Sequence, residues 1–245
     1  MNDSDVQKLI DLCQKRYDKA KQNPGCMEDF DKYPHLFVLA CVMDRQIKAV
    51  RAWNIPYIIA DEIGSREIGA FAAKDEQYYI DLFETKKLHR YNSLMAKYFY
   101  GAVQRIVNEY GGDASKIWKG TPSSRLVILR FLEFEGIGIK IATMATNILS
   151  RDYHIPMRDL TAIDISPDVH VKRIMYRLGL VSSKDGNWQT INPTEIVNKA
   201  ALLNIDFPGV FDLLFWDIGN QGICENNHCN AEKCPFSDFC PKIGI

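Results

Sequence analysis

The chain has no long apolar run. Uninterrupted stretches such as Leu126 to Leu129 and Leu213 to Trp216 fall far short of the roughly 20 residues that a bilayer-spanning helix needs, so no membrane partner is expected. Strict alternation of apolar and polar residues is nearly absent, which argues against sheet architectures. Internal repeats and low-complexity segments are missing, which argues against solenoids and disordered arrays. An excess of one charge is missing too: 30 Lys and Arg face 31 Asp and Glu, for a net charge of -1. Bulk charge therefore neither requires nor forbids nucleic acid, because a local basic face can still bind phosphate. The N-terminus, MNDSDVQKLIDLC, lacks the basic start and apolar centre of a signal peptide, and a reducing cytoplasm is the expected compartment.

What is present is a chain of 245 residues, 47% hydrophobic, long enough to bury a core in one large domain or two smaller ones. Apolar residues recur at helical spacing almost throughout, as in Val171, Ile174, Met175 and Leu178, with Gly179 as a helix stop. This periodicity predicts helices over 4–22, 36–53, 66–84, 93–110, 122–134, 139–149, 169–178, 193–203 and 207–217, an all-α protein. The polar, proline-containing stretch from Ser150 to Pro167 reads as a long connection over the surface.

Four of the seven cysteines crowd into the last turns of the chain as Cys224-x4-Cys229-x4-Cys234-x5-Cys240. Thiolates so close in sequence can converge on one soft metal without a sheet or barrel to gather them, which suits iron-sulfur or zinc. Structural disulfides are the competitor. Cys13, Cys26 and Cys41 argue against them, since they stand singly, leave an odd total and have no ligand-like neighbour; they read as buried or incidental thiols. The tryptophans Trp53, Trp118 and Trp216 read as core anchors, and Trp188 as part of an added loop.

Residues 126–149 place two apolar helical stretches on either side of Glu135-Gly136-Ile137-Gly138. A turn of this kind leaves backbone N–H groups free at the start of the second helix, where they and the helix dipole attract a phosphate oxygen. A plain helix-helix turn is the blander explanation. Ala142 and Ala145 would let the two helices approach closely. Lys140 falls in the first turn of the second helix, where the dipole and the flanking Ile139 and Ile141 would penalise an ammonium and favour a neutral, nucleophilic amine; a solvated surface lysine is the alternative. Further on, Ser166-Pro167-Asp168-Val169-His170-Val171-Lys172-Arg173 reads as an aspartate at a helix N-cap, and capping alone would account for Asp168.

Gly-Ile-Gly-Ile-Lys-Ile-Ala, then Pro-Asp-Val-His-Val-Lys-Arg, then the cysteine loop, occur in the order seen in the endonuclease III family of helix-hairpin-helix DNA glycosylases, which this chain resembles from about Pro34 onward. Tyr91-Asn92-Ser93 before a long helix extends the likeness. The resemblance implies two helical domains flanking a DNA-binding cleft. One spans residues 34–145, with the hairpin at about 126–149; the other joins 1–33 to 146–245, with the metal-cluster loop at 224–240. It implies Lys140 as nucleophile and Asp168 as its acidic partner in a glycosylase with abasic-site lyase activity, removing a damaged base, an oxidised pyrimidine being the first candidate. It further implies contacts to double-stranded DNA from Gly136, Ile137 and Gly138 and from Arg45, Arg90, Tyr91, Asn92 and His170. Cys224, Cys229, Cys234 and Cys240 would hold a 4Fe-4S cluster, with zinc as the alternative. A monomer associated with the nucleoid through DNA is expected.

The chain departs from the family pattern in several places. The usual cysteine spacing is C-x6-C-x2-C-x5-C, so Cys229 comes two residues early, and His228 adds a little to the case for zinc. The segment between Lys140 and Asp168 is longer than usual, which makes Asp164 the alternative acid. Where the family often carries a glutamine that fills the space left by the extruded nucleotide, Met43 aligns, with Asp44 and Gln46 nearby; Arg90 aligns with an apolar wedge. A glycosylase without lyase activity and a non-catalytic iron-sulfur DNA-binding protein are the other two functions compatible with these residues.

Overall fold

The computed structural model describes residues 1–22, 25, 27 and 29–244; Cys26 lies outside them. In chain order the helices are α1 (Asp3–Lys21), α2 (Pro34–Met43), α3 (Ala49–Ile63), α4 (Ile68–Ala72), α5 (Glu76–Lys86), α6 (Asn92–Tyr110), α7 (Ser124–Leu132), α8 (Ile139–Arg151), α9 (Val169–Arg177), α10 (Pro193–Leu203) and α11 (Val210–Asn220), with 3-10 turns at Ala114–Ile117 and Trp188–Thr190. Among the described residues the only extended pairing is an isolated antiparallel bridge between Cys224 and Cys229. The protein is all-α, and no helix of the described residues is long and apolar enough to cross a membrane. The chain divides into two compact units, one of Met1–Pro24 with Asn147–Ile245 and one of Gly25–Thr146, with the second boundary falling inside α8.

The unit of residues 25–146 is organised by α2. Its sequence, PHLFVLACVM, has no polar face, and every residue from His35 to Met43 is buried, so neighbours must cover it on all sides. α3, α6 and the 3-10 turn at Ala114–Ile117 pack against it. An aromatic cluster fills the gap: Phe37 meets Trp118 and Phe131 edge-on, while the Trp118 ring stacks on Phe131 and on Phe30. His35 is buried in the same helix, its Nε2 at 2.9 Å from the Arg66 carbonyl.

The other unit gathers α1, α9, α10 and α11. α1 and α9 both pack on α11, and Arg16 of α1 meets Asp217 of α11 at 2.5 Å. Tyr17, Val171, Ile174, Phe211, Phe215 and Phe236 lie in its core.

Four expectations are corrected. The helix expected over 36–53 is two helices. α2 stops at Met43, whose carbonyl is taken by the amide of Arg45 and the imidazole of His89, and Gln46 adopts a left-handed φ of 56°; tertiary hydrogen bonds override an unbroken periodicity here. α3 then runs through Pro56 to Ile63, with Gly64 as its C-cap; Pro56 lies with Ile55 and Ile59 among the buried residues of the helix, so burial offsets the missing N–H. The helix expected over 66–84 is divided by Asp75, whose carboxylate accepts the Tyr78 amide at 2.8 Å and caps α5. The stretch 150–167 is not only a surface connection, since Ile163 and Ile165 are in the core. Of the tryptophans, Trp118 is a core anchor and Trp53 is half-buried against Phe37, but Trp216 is 44% exposed.

Phe37→Ala should lower the unfolding free energy by about 3–5 kcal/mol, the range for removing a buried aromatic. Urea denaturation followed by tryptophan fluorescence checks it; a loss below about 1 kcal/mol would mean the cluster is not packed as described.

Candidate functional site

The turn between α7 and α8 is built by one left-handed glycine. Gly136 has φ +91°, and a Cβ placed there would lie 2.8 Å from the Tyr98 ring, so a side chain meets both strain and a neighbour. Gly138 has ordinary backbone and open space where its Cβ would be. Ile137 is buried, its amide bonded to the Phe134 carbonyl. The first bond of α8 runs from Ala142 N–H to the Gly138 carbonyl at 3.0 Å. The amides of Ile139, Lys140 and Ile141 donate to no carbonyl among the described residues, as the first turn of a helix requires. They lie beside Glu135 and Gly138, both exposed, and unpaired N–H groups in the first turn of a helix favour an anion.

Lys140 is the second residue of α8 and is exposed, as is Ile139 at 60%. The apolar surround expected around the amine is therefore not formed. Its ammonium makes no ion pair among the described residues, but its charge acts on Asp44, the C-cap of α2 in the same unit. Burial raises the Asp44 carboxyl above its ordinary value, and the Lys140 charge opposes that rise.

Next to Asp44, the 44–48 loop is tied to the 87–92 segment by a buried histidine. His89, 3% exposed, accepts the Tyr91 amide at Nδ1 (3.1 Å), and its Nε2 lies 3.3 Å from the Met43 carbonyl. Because Nδ1 accepts, the proton must sit on Nε2. Burial lowers the pKa of this ring and keeps it neutral. The Asn92 side chain accepts the His89 amide, Tyr91 donates its hydroxyl to Gln46 at 2.8 Å, and Arg51 caps the Lys87 and Leu88 carbonyls. Arg90 lies over the Tyr91 ring at 5.5 Å. Lys86 pairs with Glu62. Of the basic residues singled out here, Arg45, Lys48, Lys87 and Arg90 are exposed, while Arg51 and His89 serve the scaffold. Met43 is fully buried, whereas Gln46, exposed and held by Tyr91, is presented at the surface of this loop together with Arg45 and Lys48.

In the other unit, Asp168 caps α9. Its Oδ1 accepts the amides of His170 (2.8 Å) and Val171 (2.9 Å), and Oδ2 accepts no hydrogen bond from a described residue. Capping thus occupies one oxygen and leaves the other free. Asp164 lies in the segment that leads to the cap. His170 is turned inward, its Nδ1 3.0 Å from Arg173 Nη2 and against Gly219, where any Cβ would overlap the ring. Arg173 is buried, bonded to Asn226 and packed on the Trp188 ring. These contacts give both side chains a place within the unit, which the sequence did not suggest.

The cysteine loop follows α11. The bridge between Cys224 and Cys229 closes a tight turn, with Glu225 N–H bonded to His228 O at 2.9 Å, so the early position of Cys229 is taken up by the turn. Phe236 anchors the loop edge-on to Phe215. Burial pushes the Cys234 thiol up to about 11, and each of the other three cysteines adds to the rise; the Phe236 amide opposes it. Cys240 is raised for the same first reason. The four sulfurs therefore share one electrostatic environment, and none of them, nor Cys13 or Cys41, is in a disulfide among the described residues. Among the described residues no three His, Cys, Asp or Glu side chains are arranged to hold a single metal ion as they stand. The donor set is nevertheless that of a metal-thiolate centre, in which the metal displaces the thiol protons.

The fold has known counterparts. An endonuclease III trapped as a covalent intermediate with DNA is 13% identical and superposes with a TM-score of 0.62 over 99% of this chain and 97% of that one. The chain has the endonuclease III fold. A non-covalent endonuclease III-DNA complex gives a TM-score of 0.58 at 14% identity, covering 95% and 94%, and a thermostable thymine-DNA glycosylase gives 0.62 at 12% identity, covering 98% and 97%. No protein-family model and no curated protein matches the sequence.

Two outcomes test this geometry. Gly136→Ala should cost on the order of 1–3 kcal/mol, the strain of an alanine held in a left-handed conformation, while Gly138→Ala leaves the unfolding midpoint within error; equal costs at the two sites would contradict the turn described. The second concerns Asp44. A carboxyl raised by burial is protonated in both folded and unfolded states at low pH, and ionising it in the folded state costs stability as pH rises through its folded value. Asp44→Asn should therefore stabilise the protein at neutral pH, and the gain should disappear on acidification. Thermal unfolding across that range measures it; a gain that grows toward acid would reverse the assignment.

Proposed function

We propose that the protein is a base-excision DNA glycosylase with an associated abasic-site lyase activity. The observation that carries the proposal is Lys140, presented directly after a glycine turn in the first turn of α8, whose amides at Ile139, Lys140 and Ile141 donate to no carbonyl among the described residues, in a chain of endonuclease III fold. Duplex DNA is the substrate, and the amides from Gly138 to Ile141 take a backbone phosphate without reading sequence. Arg45, Lys48 and Arg90, displayed by the loops that His89 ties together, add sequence-independent phosphate contacts, and Tyr91 orients both Arg90 and Gln46.

The damaged nucleotide is extruded, because its glycosidic carbon is out of reach inside the stack. The neutral amine of Lys140 attacks C1′ while the C1′–N bond breaks and the base leaves with its electron pair, taking up a proton. The free oxygen of Asp168 stabilises the cationic sugar and accepts the proton that the attacking amine loses. Opening of the sugar gives a Schiff base, loss of a C2′ proton breaks the C3′–O bond, and the strand is cut on the 3′ side of the lesion. An oxidised pyrimidine is the first substrate to test. Cys224, Cys229, Cys234 and Cys240 hold a 4Fe-4S cluster, or zinc, whose part when bound is to brace the loop.

A second reading is a glycosylase without lyase activity, directed at a mismatched base. The exposure of Lys140, together with a thymine-DNA glycosylase as an equally similar fold, favours it.

Borohydride trapping on a duplex with a single abasic site separates the two. The wild type should form a covalent adduct and Lys140→Ala should not. Asp168→Asn should keep the α9 cap, with stability within about 0.5 kcal/mol since asparagine caps as well as aspartate, yet lose base release by at least tenfold. A wild type that releases a mismatched base without an adduct supports the second reading; binding with neither release nor adduct removes both.

A further inference from the structure

Arg177 is the last residue of α9 and is 2% exposed. Its guanidinium has three partners: Nη1 donates to Cys224 Sγ at 2.9 Å and to the His228 carbonyl at 3.4 Å, and Nη2 donates to the Asn226 carbonyl at 2.7 Å. Its own carbonyl receives the Cys240 thiol at 3.5 Å. No carboxylate among the described residues pairs with it; Glu225, Glu232 and Asp238 of the loop are all exposed. A buried cation that meets only carbonyl dipoles and a sulfur is costly unless an anion balances it. Four neutral thiols carry no charge, whereas four thiolates on iron-sulfur or on zinc form a core with net negative charge.

We infer that Arg177 is the counter-charge and orienting donor of the metal-thiolate centre formed by Cys224, Cys229, Cys234 and Cys240. Its fork clamps the 224–229 turn through two carbonyls and points the remaining donor at Cys224 sulfur, a charge-assisted bond that strengthens when the sulfur is a thiolate. The bridge between Cys224 and Cys229 and the thiol contact of Cys240 tie three of the four ligands to this one residue or to its direct partner. The inference rests on the metal reading of the cysteine loop and names the residue that makes the loop favour metal over four protons. A residue that merely laces the loop together would act equally with and without metal; a counter-charge acts in opposite senses in the two states.

The full chain, stripped with a chelator, is reloaded anaerobically with ferrous iron and sulfide, or in a second arm with zinc, and wild type is compared with Arg177→Met and Arg177→Lys. Metal per chain, release to a competing chelator and urea unfolding are measured for the loaded and metal-free forms. Arg177→Met should release metal roughly 10- to 100-fold faster, as loss of an outer-shell partner does, and unfold at lower urea when loaded. Metal-free, it should unfold at the wild-type midpoint or above it. Arg177→Lys, which keeps the charge and loses the fork, should fall between. Wild-type release by Arg177→Met, an equal loss of stability in both forms, or failure of that variant to fold without metal would each overturn the inference and leave the metal reading intact. A wild type that takes up neither iron nor zinc would overturn both.

Discussion

A helix with no polar side cannot rest on a surface, and α2 is such a helix. Because every residue from His35 to Met43 must leave water, the unit of residues 25–146 is assembled around it, with α3, α6 and the Trp118 cluster as its coat. The hydrogen bonds from Arg45 and His89 that end α2 at Met43 agree with the same demand, since Asp44 cannot be ionised in the core without cost. The chain leaves the core there, bends through a left-handed Gln46, and is caught by the His89 network. Thus the placement of Arg45, Gln46 and Arg90 at the surface descends from an apolar sequence several residues upstream of the loop. The function proposed for these residues depends on a core that lies outside the loops displaying them.

Both residues proposed for the chemistry stand at helix N-termini, and the first turn of a helix does something different in each case. At α9 the amides are satisfied by Asp168, which commits one carboxylate oxygen to structure and holds the other in a fixed direction. At α8 the amides of Ile139, Lys140 and Ile141 donate to no carbonyl among the described residues, and Lys140, the proposed nucleophile, is mounted among them. A cap gives a rigid base; an uncapped end gives an anion site.

The all-α class, most helix positions, the glycine turn and the capping role of Asp168 were legible in the sequence because each depends on neighbours within a few positions. The break after Met43 was not: it is imposed by His89, whose imidazole approaches from more than forty residues away. Asp75 was a visible capping signal that the apolar periodicity of 66–84 concealed. The inward turn of His170 and Arg173 was hidden because it requires Gly219 and Asn226, brought near by the fold. Lys140 was legible in position but not in environment, since exposure of Ile139 is settled by packing. Arg177 gave no signal at all; an arginine at the end of a helix usually stabilises the dipole at the surface, and only the fold shows that it is buried against cysteine.

The histidine at position 89 constrains what this loop can tolerate chemically. Its ring offers an acceptor to one stretch of backbone and a donor to another from opposite edges, in a buried space that disfavours a second proton. Lysine and arginine have no acceptor, carboxylates at neutral pH have no donor, and an amide carries its donor and acceptor on the same end of the side chain rather than across a ring. A doubly protonated imidazole fails as well, because it would present a hydrogen to the Tyr91 amide. The surface that carries Tyr91, Arg90 and Gln46 is therefore held by a neutral heteroaromatic with one specified tautomer, and its geometry is a chemical state as much as a shape.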